Sequence, residues 1–364
     1  MKKTLAVLVV LAMALSLFVA CTPKGGTSGE LNVSVFFYDY SDTYIGSVRA
    51  AMEEGLKAES IAYTFYDAAS DQAKQTTQVE TALTQGSNLL IVNIVTTGSD
   101  EAAQNIVDAA KDKGVPVIFF NREVSNEVVN SYEKCCFVGT DADEAGYMQG
   151  QMIYDFLSAE GNMAKYDLNG DGAISYVMFR GELGNAEAFG RTLYSVSNAN
   201  TLFGSTMLVP SAANQTDSTQ PDDGVSPYYL YGNWSAANAK NLMDTALTTY
   251  SLTSGDIEIV IANNDDQALG AIESMNEKGF NTGAADAGYI PVFGVDATAV
   301  AQDAIANNKM TGTIKQDAQG MANGIIYLAK NIGAGKELMA DTTSFNVDEG
   351  VAKIRIPYAI FTGK

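Results

Sequence analysis

The sequence has no histidine, and its 364 residues include only three cysteines, seven prolines and one tryptophan. Without histidine the chain lacks the commonest general base, so Ser-His catalysis, Cys-His catalysis and imidazole metal sites are excluded. Positive charge is also scarce, because 22 Lys and Arg stand against 43 Asp and Glu, for a net charge of −21. A surface this acidic repels phosphate backbones, which argues against a nucleic-acid partner. Oxygen ligation of the calcium type is the metal chemistry that remains.

The start of the chain has the pattern of a bacterial export signal. Residues 1–20 combine two early lysines with an apolar run that is too short and wrongly flanked for a membrane-spanning helix. The run ends directly before Cys21, as in a lipobox, and residues 21–30 have the composition of a flexible tether. We therefore expect an exported lipoprotein, anchored through Cys21 to the cell membrane on its periplasmic or extracellular face. Ordinary cleavage near Ala20 is the alternative.

Beyond the tether, short apolar runs alternate with amphipathic segments, beginning with the run at residues 31–37. The other runs lie at residues 89–92, 116–120, 176–179, 257–261 and 291–295. Short, continuous, β-branched runs separated by helices are typical of parallel sheets that are covered on both faces. The length fits two such layered units better than one. The sequence therefore predicts an α/β fold with two doubly wound parallel-sheet lobes.

Two further segments have simple structural interpretations. Cys135 and Cys136 are adjacent within an apolar run, so we expect small buried strand residues rather than a redox pair. The polar stretch at residues 210–227 is expected to be a surface loop, and the sequence assigns it no function.

Polar side chains follow five of the apolar runs, at the strand ends where ligands of open parallel sheets bind. These strand-end segments are residues 38–44, 121–123, 181–187 and 262–265, together with Asp296. Planar polar side chains make paired hydrogen bonds to vicinal hydroxyls, and aromatic rings stack on the apolar faces of a sugar ring. A single Asn or Asp at such a place is more often a helix cap. Five such strand ends together favour a pocket for a neutral polyhydroxylated ligand.

Residues 167–175, Asp-Leu-Asn-Gly-Asp-Gly-Ala-Ile-Ser, match the first nine positions of an EF-hand calcium loop. Oxygen side chains stand at positions 1, 3, 5 and 9, and glycine stands at position 6, where the backbone turns sharply. Position 12 should be a bidentate Glu, but here it is Met178. By itself the segment is either an ordinary Asx-Gly turn or a calcium loop that takes its last carboxylate from elsewhere.

Five motifs in combination carry a family resemblance. They are Val-Ile-Phe-Phe-Asn-Arg-Glu at 117–123, Val-Gly-Thr-Asp at 138–141, Asp-Leu-Asn-Gly-Asp-Gly at 167–172, Ile-Val-Ile-Ala-Asn-Asn-Asp at 259–265 and Pro-Val-Phe-Gly-Val-Asp-Ala at 291–297. Between Leu31 and about Tyr358 the chain resembles the galactose/glucose-binding proteins of bacterial ATP-driven sugar importers, within the type I periplasmic binding proteins.

The resemblance implies two lobes joined by a three-segment hinge, as in other proteins of this type. The N-terminal lobe would comprise residues 31–138 and 318–351, and the C-terminal lobe residues 141–315 and 354–364. The hinge segments would lie near Gly139, Gln316 and Ala352.

The resemblance also implies two sites. The calcium ligands would be Asp167, Asn169, Asp171, the carbonyl of Ala173, Ser175 and the distant Glu258, which would supply the missing bidentate carboxylate. The sugar-binding residues would be Asp42, Tyr44, Asn121, Asn185, Glu187, Arg191, Trp234, Asn264, Asp296 and Gln316. The family usually has His, Asp and Asn where this chain has Asn185, Glu187 and Gln316. These departures leave the exact hexose open within the sugar class.

The function that the resemblance implies is binding without catalysis. A monomeric extracytoplasmic lipoprotein would hold a monosaccharide of the glucose/galactose class and present it to an ABC permease, with calcium as a structural ion. A carboxylate-dependent glycosidase that uses Glu187 and Asp296 is the enzyme alternative. A sugar sensor for a chemoreceptor would share the same pocket, so the sequence does not separate it from a transport protein.

Overall fold

The structure is a computed structural model that describes residues 31–216 and 228–363. The predicted signal peptide, the tether with Cys21 and residues 217–227 of the polar stretch lie outside these ranges. Within them, no helix combines the length and the apolar character that crossing a membrane requires.

The first sheet has seven strands in the described residues. They are β1 (Asn32–Phe37), β2 (Ala62–Asp67), β3 (Leu89–Val92), β4 (Val117–Phe120), β5 (Cys135–Gly139), β13 (Asn346–Val347) and β14 (Lys353–Arg355). Their order is β13-β14-β5-β4-β3-β1-β2, and only the β13–β14 pair is antiparallel.

The second sheet is built in the same way from a later part of the chain. Its strands are β6 (Ile174–Arg180), β7 (Leu208–Pro210), β8 (Gln215–Thr216), β9 (Tyr228–Tyr231), β10 (Ile259–Ala262), β11 (Val292–Asp296), β12 (Gly312–Gln316) and β15 (Tyr358–Phe361). The order is β15-β12-β11-β10-β6-β9-β8, with β7 also paired to β6. The central strands are parallel, whereas β15 and β8 pair in antiparallel fashion.

Helices cover both faces of each sheet. The first lobe carries α1 (Thr43–Ala58), α2 (Gln72–Thr84), α3 (Glu101–Lys111), α4 (Asn126–Asn130) and α11 (Ala318–Gly333). The second lobe carries α5 (Ala142–Ser158), α6 (Asn162–Tyr166), α7 (Ala186–Phe203), α8 (Ala236–Ala246), α9 (Asp265–Asn276) and α10 (Ala299–Ala306). The remaining regular element is a 3₁₀ turn at Thr342–Ser344.

Each lobe has one apolar core on either face of its sheet. Neighbouring residues of β1 enter different cores, with Val35 and Phe37 on one face and Phe36 on the other. Burial on both faces explains why these strands have continuous apolar sequences. The predicted α/β fold with two doubly wound parallel-sheet lobes is confirmed.

Cys135 and Cys136 lie side by side in β5 and are both buried. Because side chains alternate along a strand, the two thiols enter different cores of the first lobe. Burial raises the pKa of Cys135 to about 12 and raises that of Cys136 as well. The thiols are therefore held apart and protonated, as small buried side chains.

The chain crosses between the lobes three times. The first crossover, at residues 140–141, joins β5 to α5, and the second, at Asp317, joins β12 to α11. The third lies at residues 356–357, later than the predicted segment near Ala352, because β14 pairs with β5 in the first sheet. The last segment of the second lobe therefore begins at Tyr358 rather than at residue 354.

Charge explains why β14 stays in the first lobe. The ammonium group of Lys353, which is 2% exposed, donates to Glu123 and to the Val124 carbonyl. Arg355 donates to both carboxylate oxygens of Glu123 and to Asp348. These contacts fix β14 against the loop that follows β4.

Candidate functional site

The carboxyl ends of both sheets meet at a cleft whose inner end is a cavity of about 40 Å³. Twelve residues line this inner cavity: Tyr38, Asp42, Tyr44, Asn121, Arg122, Asn185, Glu187, Arg191, Trp234, Asn264, Asp296 and Gln316. The ten residues assigned to sugar binding from the sequence are all among them. Four of the twelve, including Arg122 and Trp234, also line an outer mouth of about 640 Å³. The strand-end segments thus converge on one place, as parallel sheets require.

Three cavity residues are also helix caps, so capping a helix and lining the cavity are both true of these positions. The side chains of Asp42, Asn185 and Asn264 accept hydrogen bonds from the backbone N–H three residues later, at the starts of α1, α7 and α9. Each cap fixes its side chain at the cavity wall. The other oxygen of Asp42 accepts from the Tyr38 hydroxyl at 2.6 Å, which holds that carboxylate in place.

Arg191 is one of the two buried arginines that line the inner cavity, with 3% of its surface exposed. It donates to the Asn263 carbonyl at 2.9 Å, to Gln316 Oε1 at 3.1 Å and to the Tyr358 hydroxyl at 3.0 Å. Asp296 Oδ1 lies 4.0 Å away. Burial alone would lower the pKa of Arg191, but Tyr358, Asp296 and other neighbours raise it, so the guanidinium stays charged.

Several buried atoms of the inner cavity have no hydrogen-bond partner among the described side chains and backbone groups. They are Nε2 of Gln316, Nε of Arg191 and both carboxylate oxygens of Glu187, apart from the contact of this carboxylate with its own backbone amide. Native proteins rarely bury polar atoms in this way, because each one loses its hydrogen bonds to water. The cavity therefore presents two acceptors and two donors, which suits a ligand whose hydroxyls both donate and accept.

The two buried carboxyl groups of the cavity resist ionisation. Burial raises the pKa of Glu187, and neighbouring Arg191 offsets this effect only in part. Burial also raises the pKa of Asp296, with Asp265 adding to the rise and Arg191 opposing it. The electrostatic cost of these carboxylates fits a site that is shaped for binding rather than for stability.

Three of the cavity residues have a strained backbone. Asn121, Trp234 and Asp296 have φ angles of +61°, +63° and +121°, a region that side-chain-bearing residues seldom adopt. Each such residue costs about 1–3 kcal/mol, and this kind of strain is common at functional sites. The half-buried indole of Trp234 lies against Gly181, where an added Cβ would come within 2.4 Å of the ring. Trp234 is thus a cleft residue and not part of an apolar core.

The lobes also touch around the cleft. Arg122 of the first lobe pairs with Glu182 of the second, the only ion pair between the lobes in the part of the chain that is described. The ring of Tyr38 lies 4.2 Å from the Arg122 guanidinium carbon. Elsewhere the Thr43 hydroxyl donates to Asp266 at 2.8 Å. These contacts belong to the closed arrangement of the lobes.

Glu182→Gln is expected to weaken ligand binding about 3- to 10-fold, chiefly through faster dissociation. The side chain of Glu182 is 28% exposed, so its ion pair contributes modestly to the closed form. Stopped-flow kinetics would measure the change. Glu59→Gln is the matched control, because Glu59 pairs with Lys330 within the first lobe. Equal dissociation rates for the wild type and Glu182→Gln would contradict the role of this ion pair.

The structure brings the loop at residues 167–175 together with Glu258. The buried carboxylate of Glu258 accepts from the backbone N–H groups of Leu168, at 2.6 Å, and Ser175, at 2.7 Å. Gly172, at the sixth position of the loop, has a φ of +86°, which explains why glycine stands there. The juxtaposition that the family resemblance implied is therefore present.

Within the loop, the acidic side chains are bound to backbone amides. Asp167 accepts from the N–H groups of Asp171 and Gly172, and Asp171 accepts from that of Ala173. Among the described residues, no three His, Cys, Asp or Glu side chains are grouped so that they could hold a metal ion. Calcium binding at this loop stays a prediction.

Two cavity residues were not identified from the sequence. Tyr38 and Arg122 both stand in the strand-end segments that had been singled out, so the signal for them was present. Several consecutive residues at a strand end are polar, and the sequence alone does not show which of their side chains face the cavity. In the folded protein the contact with Tyr38 and the ion pair with Glu182 together orient Arg122.

Two α/β lobes, three crossovers and a polar cavity at the strand ends define a class of protein: one that encloses a small solute between hinged lobes. Comparisons with known proteins specify the family. The model of the periplasmic binding protein domain matches residues 33–337. The D-galactose/methyl-galactoside binding periplasmic protein of Haemophilus influenzae is 31% identical over 98% of this chain and 96% of its own length. The chain belongs to the periplasmic binding protein family.

Other relatives agree with this family. The D-xylose-binding periplasmic protein of Escherichia coli is 26% identical over 80% of this chain and 74% of its own. A solute-binding protein of Clostridium phytofermentans with bound β-D-glucose has a TM-score of 0.70 at 19% identity, covering 91% of this chain and 94% of its own. One of Bacillus halodurans with bound myo-inositol has a TM-score of 0.69 at 24% identity, covering 93% and 96%.

These matches confirm the family resemblance and the two-lobed fold. The chain is an extracytoplasmic binding protein and not an enzyme, so the glycosidase alternative is set aside.

Proposed function

We propose that the protein binds a monosaccharide of the glucose/galactose class between its lobes and delivers it to an ABC permease. The observation that carries the proposal is the inner cavity, where buried acceptors on Glu187 and donors on Gln316 and Arg191 have no described protein partner. A polyhydroxylated ring supplies both kinds of partner. The galactose-binding relative, which matches nearly the whole chain, supports the same class of ligand.

In this proposal each lobe contributes one aromatic ring and part of the polar wall. Tyr44 comes from α1 of the first lobe, and Trp234 comes from the turn just before α8 in the second. Asp42 and Asp296 accept from sugar hydroxyls, since a carboxylate can accept about four hydrogen bonds. Arg191 donates from its free Nε. The rings pack against the apolar faces of the sugar.

Titration calorimetry with a panel of sugars tests the assignment. The panel comprises glucose, galactose, methyl galactoside, xylose, ribose and myo-inositol. We expect a hexose to bind at least about tenfold more tightly than the pentoses, because a site built around a hydroxyl discriminates strongly against a ligand that lacks it. Preferential binding of a pentose or of myo-inositol would overturn the hexose class. Asn185, Glu187 and Gln316 would then be the residues to exchange first.

We also propose a structural calcium ion held by the loop at residues 167–175. Its ligands would be Asp167, Asn169, Asp171, the Ala173 carbonyl, Ser175 and Glu258. The close approach of Glu258 supports this set, because it supplies the carboxylate that the loop itself lacks. The ion would join two segments of the second lobe that are 90 positions apart in sequence.

Chelation with EGTA is expected to lower the melting temperature, since an ion that binds only the folded state stabilises it. Glu258→Gln should remove most of the response to added calcium. Asp256→Asn is the matched control, because Asp256 also accepts from a backbone amide, that of Ser251, but lies outside the loop at residues 167–175 and outside the proposed ligand set. Identical melting curves with and without chelator, at low residual calcium, would contradict the site.

The remaining proposals concern membrane attachment, oligomeric state and partner proteins. A lipid anchor at Cys21 is supported by the sequence pattern alone, because Cys21 lies outside the described residues. Mass spectrometry of the mature protein would test it. A monomeric state and a second role as a ligand carrier for a chemoreceptor are compatible with the same cleft.

A further inference from the structure

All three crossovers between the lobes are connected to one cavity residue. The guanidinium of Arg191 donates to Gln316, the last residue before the second crossover, and to Tyr358, the first residue after the third. Gln316 and Tyr358 are also paired residues in the β12–β15 ladder. Arg191 therefore contacts the residues that border two of the three hinge segments.

The first crossover is reached through Tyr358. Its hydroxyl lies 2.8 Å from the hydroxyl of Thr140, which is fully buried. A guanidinium can only donate, so the Tyr358 oxygen accepts from Arg191. In the bond between Tyr358 and Thr140, either hydroxyl can be the donor. The result is a chain of hydrogen bonds from the cavity to the hinge, Arg191 to Tyr358 to Thr140.

We propose that Tyr358 is a positioning residue that couples ligand contact at Arg191 to closure of the hinge. Neither Tyr358 nor Thr140 lines the inner cavity, so their effect on binding is indirect, and the Tyr358 hydroxyl reaches the cavity through its bond to Arg191. Rotation of the lobes moves the crossovers relative to one another. The chain of bonds is complete in the closed arrangement, and there it holds the guanidinium in the orientation that faces the ligand. This inference rests on the proposed sugar-binding function.

Other bonds keep the first and third crossovers together when Tyr358 is altered. Arg355 donates to the Thr140 carbonyl at 2.7 Å, and the Ile356 N–H donates to the Gly139 carbonyl at 2.7 Å. The Arg191 guanidinium also retains its bonds to Asn263 and Gln316. Removing one hydroxyl should therefore disturb the coupling without unfolding the hinge.

The test compares Tyr358→Phe with Thr140→Val. Each is expected to weaken binding of the tightest-binding sugar about tenfold, which corresponds to one buried hydrogen bond left without its partner. Small-angle scattering at saturating sugar should show a smaller decrease in the radius of gyration than in the wild type. The double variant should bind within about twofold of the weaker single variant, because both substitutions break the same chain.

Tyr289→Phe is the matched control. The Tyr289 hydroxyl pairs with a threonine hydroxyl at the same 2.8 Å, also in the second lobe, but that partner is Thr311, which is neither a cavity residue nor part of a crossover. Tyr289→Phe should lower the melting temperature about as much as Tyr358→Phe does, and it should leave sugar affinity and sugar-induced compaction unchanged. A purely structural role for Tyr358 predicts this same behaviour for Tyr358→Phe, and that result would overturn the inference. Unchanged binding by Thr140→Val would also overturn the coupling to the hinge.

The wild-type titration separates the two levels of the proposal. If the wild type binds no sugar of the panel, the proposed function and the coupling both fail. If the wild type binds and compacts while the two variants behave as it does, only the role of Tyr358 fails.

Discussion

Glu187→Met should stabilise the sugar-free protein while reducing sugar affinity by about 100-fold or more. Both carboxylate oxygens of Glu187 are buried and, apart from its own backbone amide, have no hydrogen-bond partner among the described residues. An unpaired buried polar group costs about 1–3 kcal/mol, and more when it is charged. The position of Glu187 in the first turn of α7, where the helix dipole favours negative charge, stabilises the fold by only about 0.3–1 kcal/mol. Methionine has a similar length and removes this penalty.

The loss of affinity has the same origin as the gain in stability. The two oxygens are the acceptors that the sugar hydroxyls would use, so their removal leaves those hydroxyls unpaired in a closed cavity. Calorimetry would measure the binding, and thermal unfolding without sugar would measure the stability. Glu187→Gln, which keeps one acceptor, should fall between the wild type and Glu187→Met in both respects.

The difference in stability between Glu187→Met and the wild type should depend on pH. Burial raises the pKa of Glu187 in the folded state, so the folded wild type binds a proton more strongly than the unfolded chain does. The contribution of Glu187 to the stability of the wild type therefore falls as the pH rises above the ordinary glutamate pKa of about 4.3. The advantage of Glu187→Met should be larger at pH 8 than at pH 5.

Glu144→Met is the matched control, because Glu144 also lies in the first turn of a helix of the second lobe, outside the cavity. It should leave sugar affinity unchanged. Wild-type affinity in Glu187→Met would show that the carboxylate does not face the ligand.

Trp234→Ala is expected to weaken sugar binding by one or more orders of magnitude and to leave melting without sugar nearly unchanged. The indole is half-buried at the cavity, and the Arg191 guanidinium carbon lies 5.7 Å from the ring centre. Stacking on a sugar face contributes about 1 kcal/mol beyond the buried area. A core tryptophan would instead cost about 3–5 kcal/mol of stability on truncation.

Fluorescence reports the same event directly, since Trp234 is the only tryptophan in the chain. Emission should shift when a bound sugar displaces water from the indole. Gly181→Ala should also weaken binding, because the added methyl group would push the ring away from its place. Tyr231→Ala is the control, since Tyr231 lines the outer mouth but not the inner cavity. Flat emission at saturating glucose and galactose, with no calorimetric signal, would refute the hexose assignment.

The buried parallel strands could be predicted from the sequence because both of their faces are apolar. The runs at residues 89–92 and 116–120, for example, correspond to β3 and β4. The strand β2 was not predicted, since it lies at the sheet edge and its sequence mixes exposed and half-buried residues. The third crossover was misplaced because the ion pairs that hold β14 in the first lobe join residues that are distant in sequence.

The position of the cavity could be predicted because the carboxyl ends of parallel strands lie at the same edge of a sheet. The family resemblance then indicated which residues at that edge bind the ligand. It did not include Arg122, whose inward orientation depends on a partner in the other lobe, Glu182. The chain through Tyr358 was equally out of reach, since it joins three segments that meet only in the folded protein. Contacts between lobes leave no local pattern in a sequence.

The arrangement of the first lobe has a consequence for the order of folding. Its core contains Met321 and Leu328 of α11 and Ile354 of β14, packed with Val33 and Ile45 from the start of the chain. Contacts between such distant segments form late, because the intervening chain must first be synthesised and its ends brought together. The first lobe therefore cannot complete its core while the C-terminal segments are still missing. A nascent chain that remains incompletely folded for most of its synthesis is well suited to leaving the cytoplasm before its final structure forms.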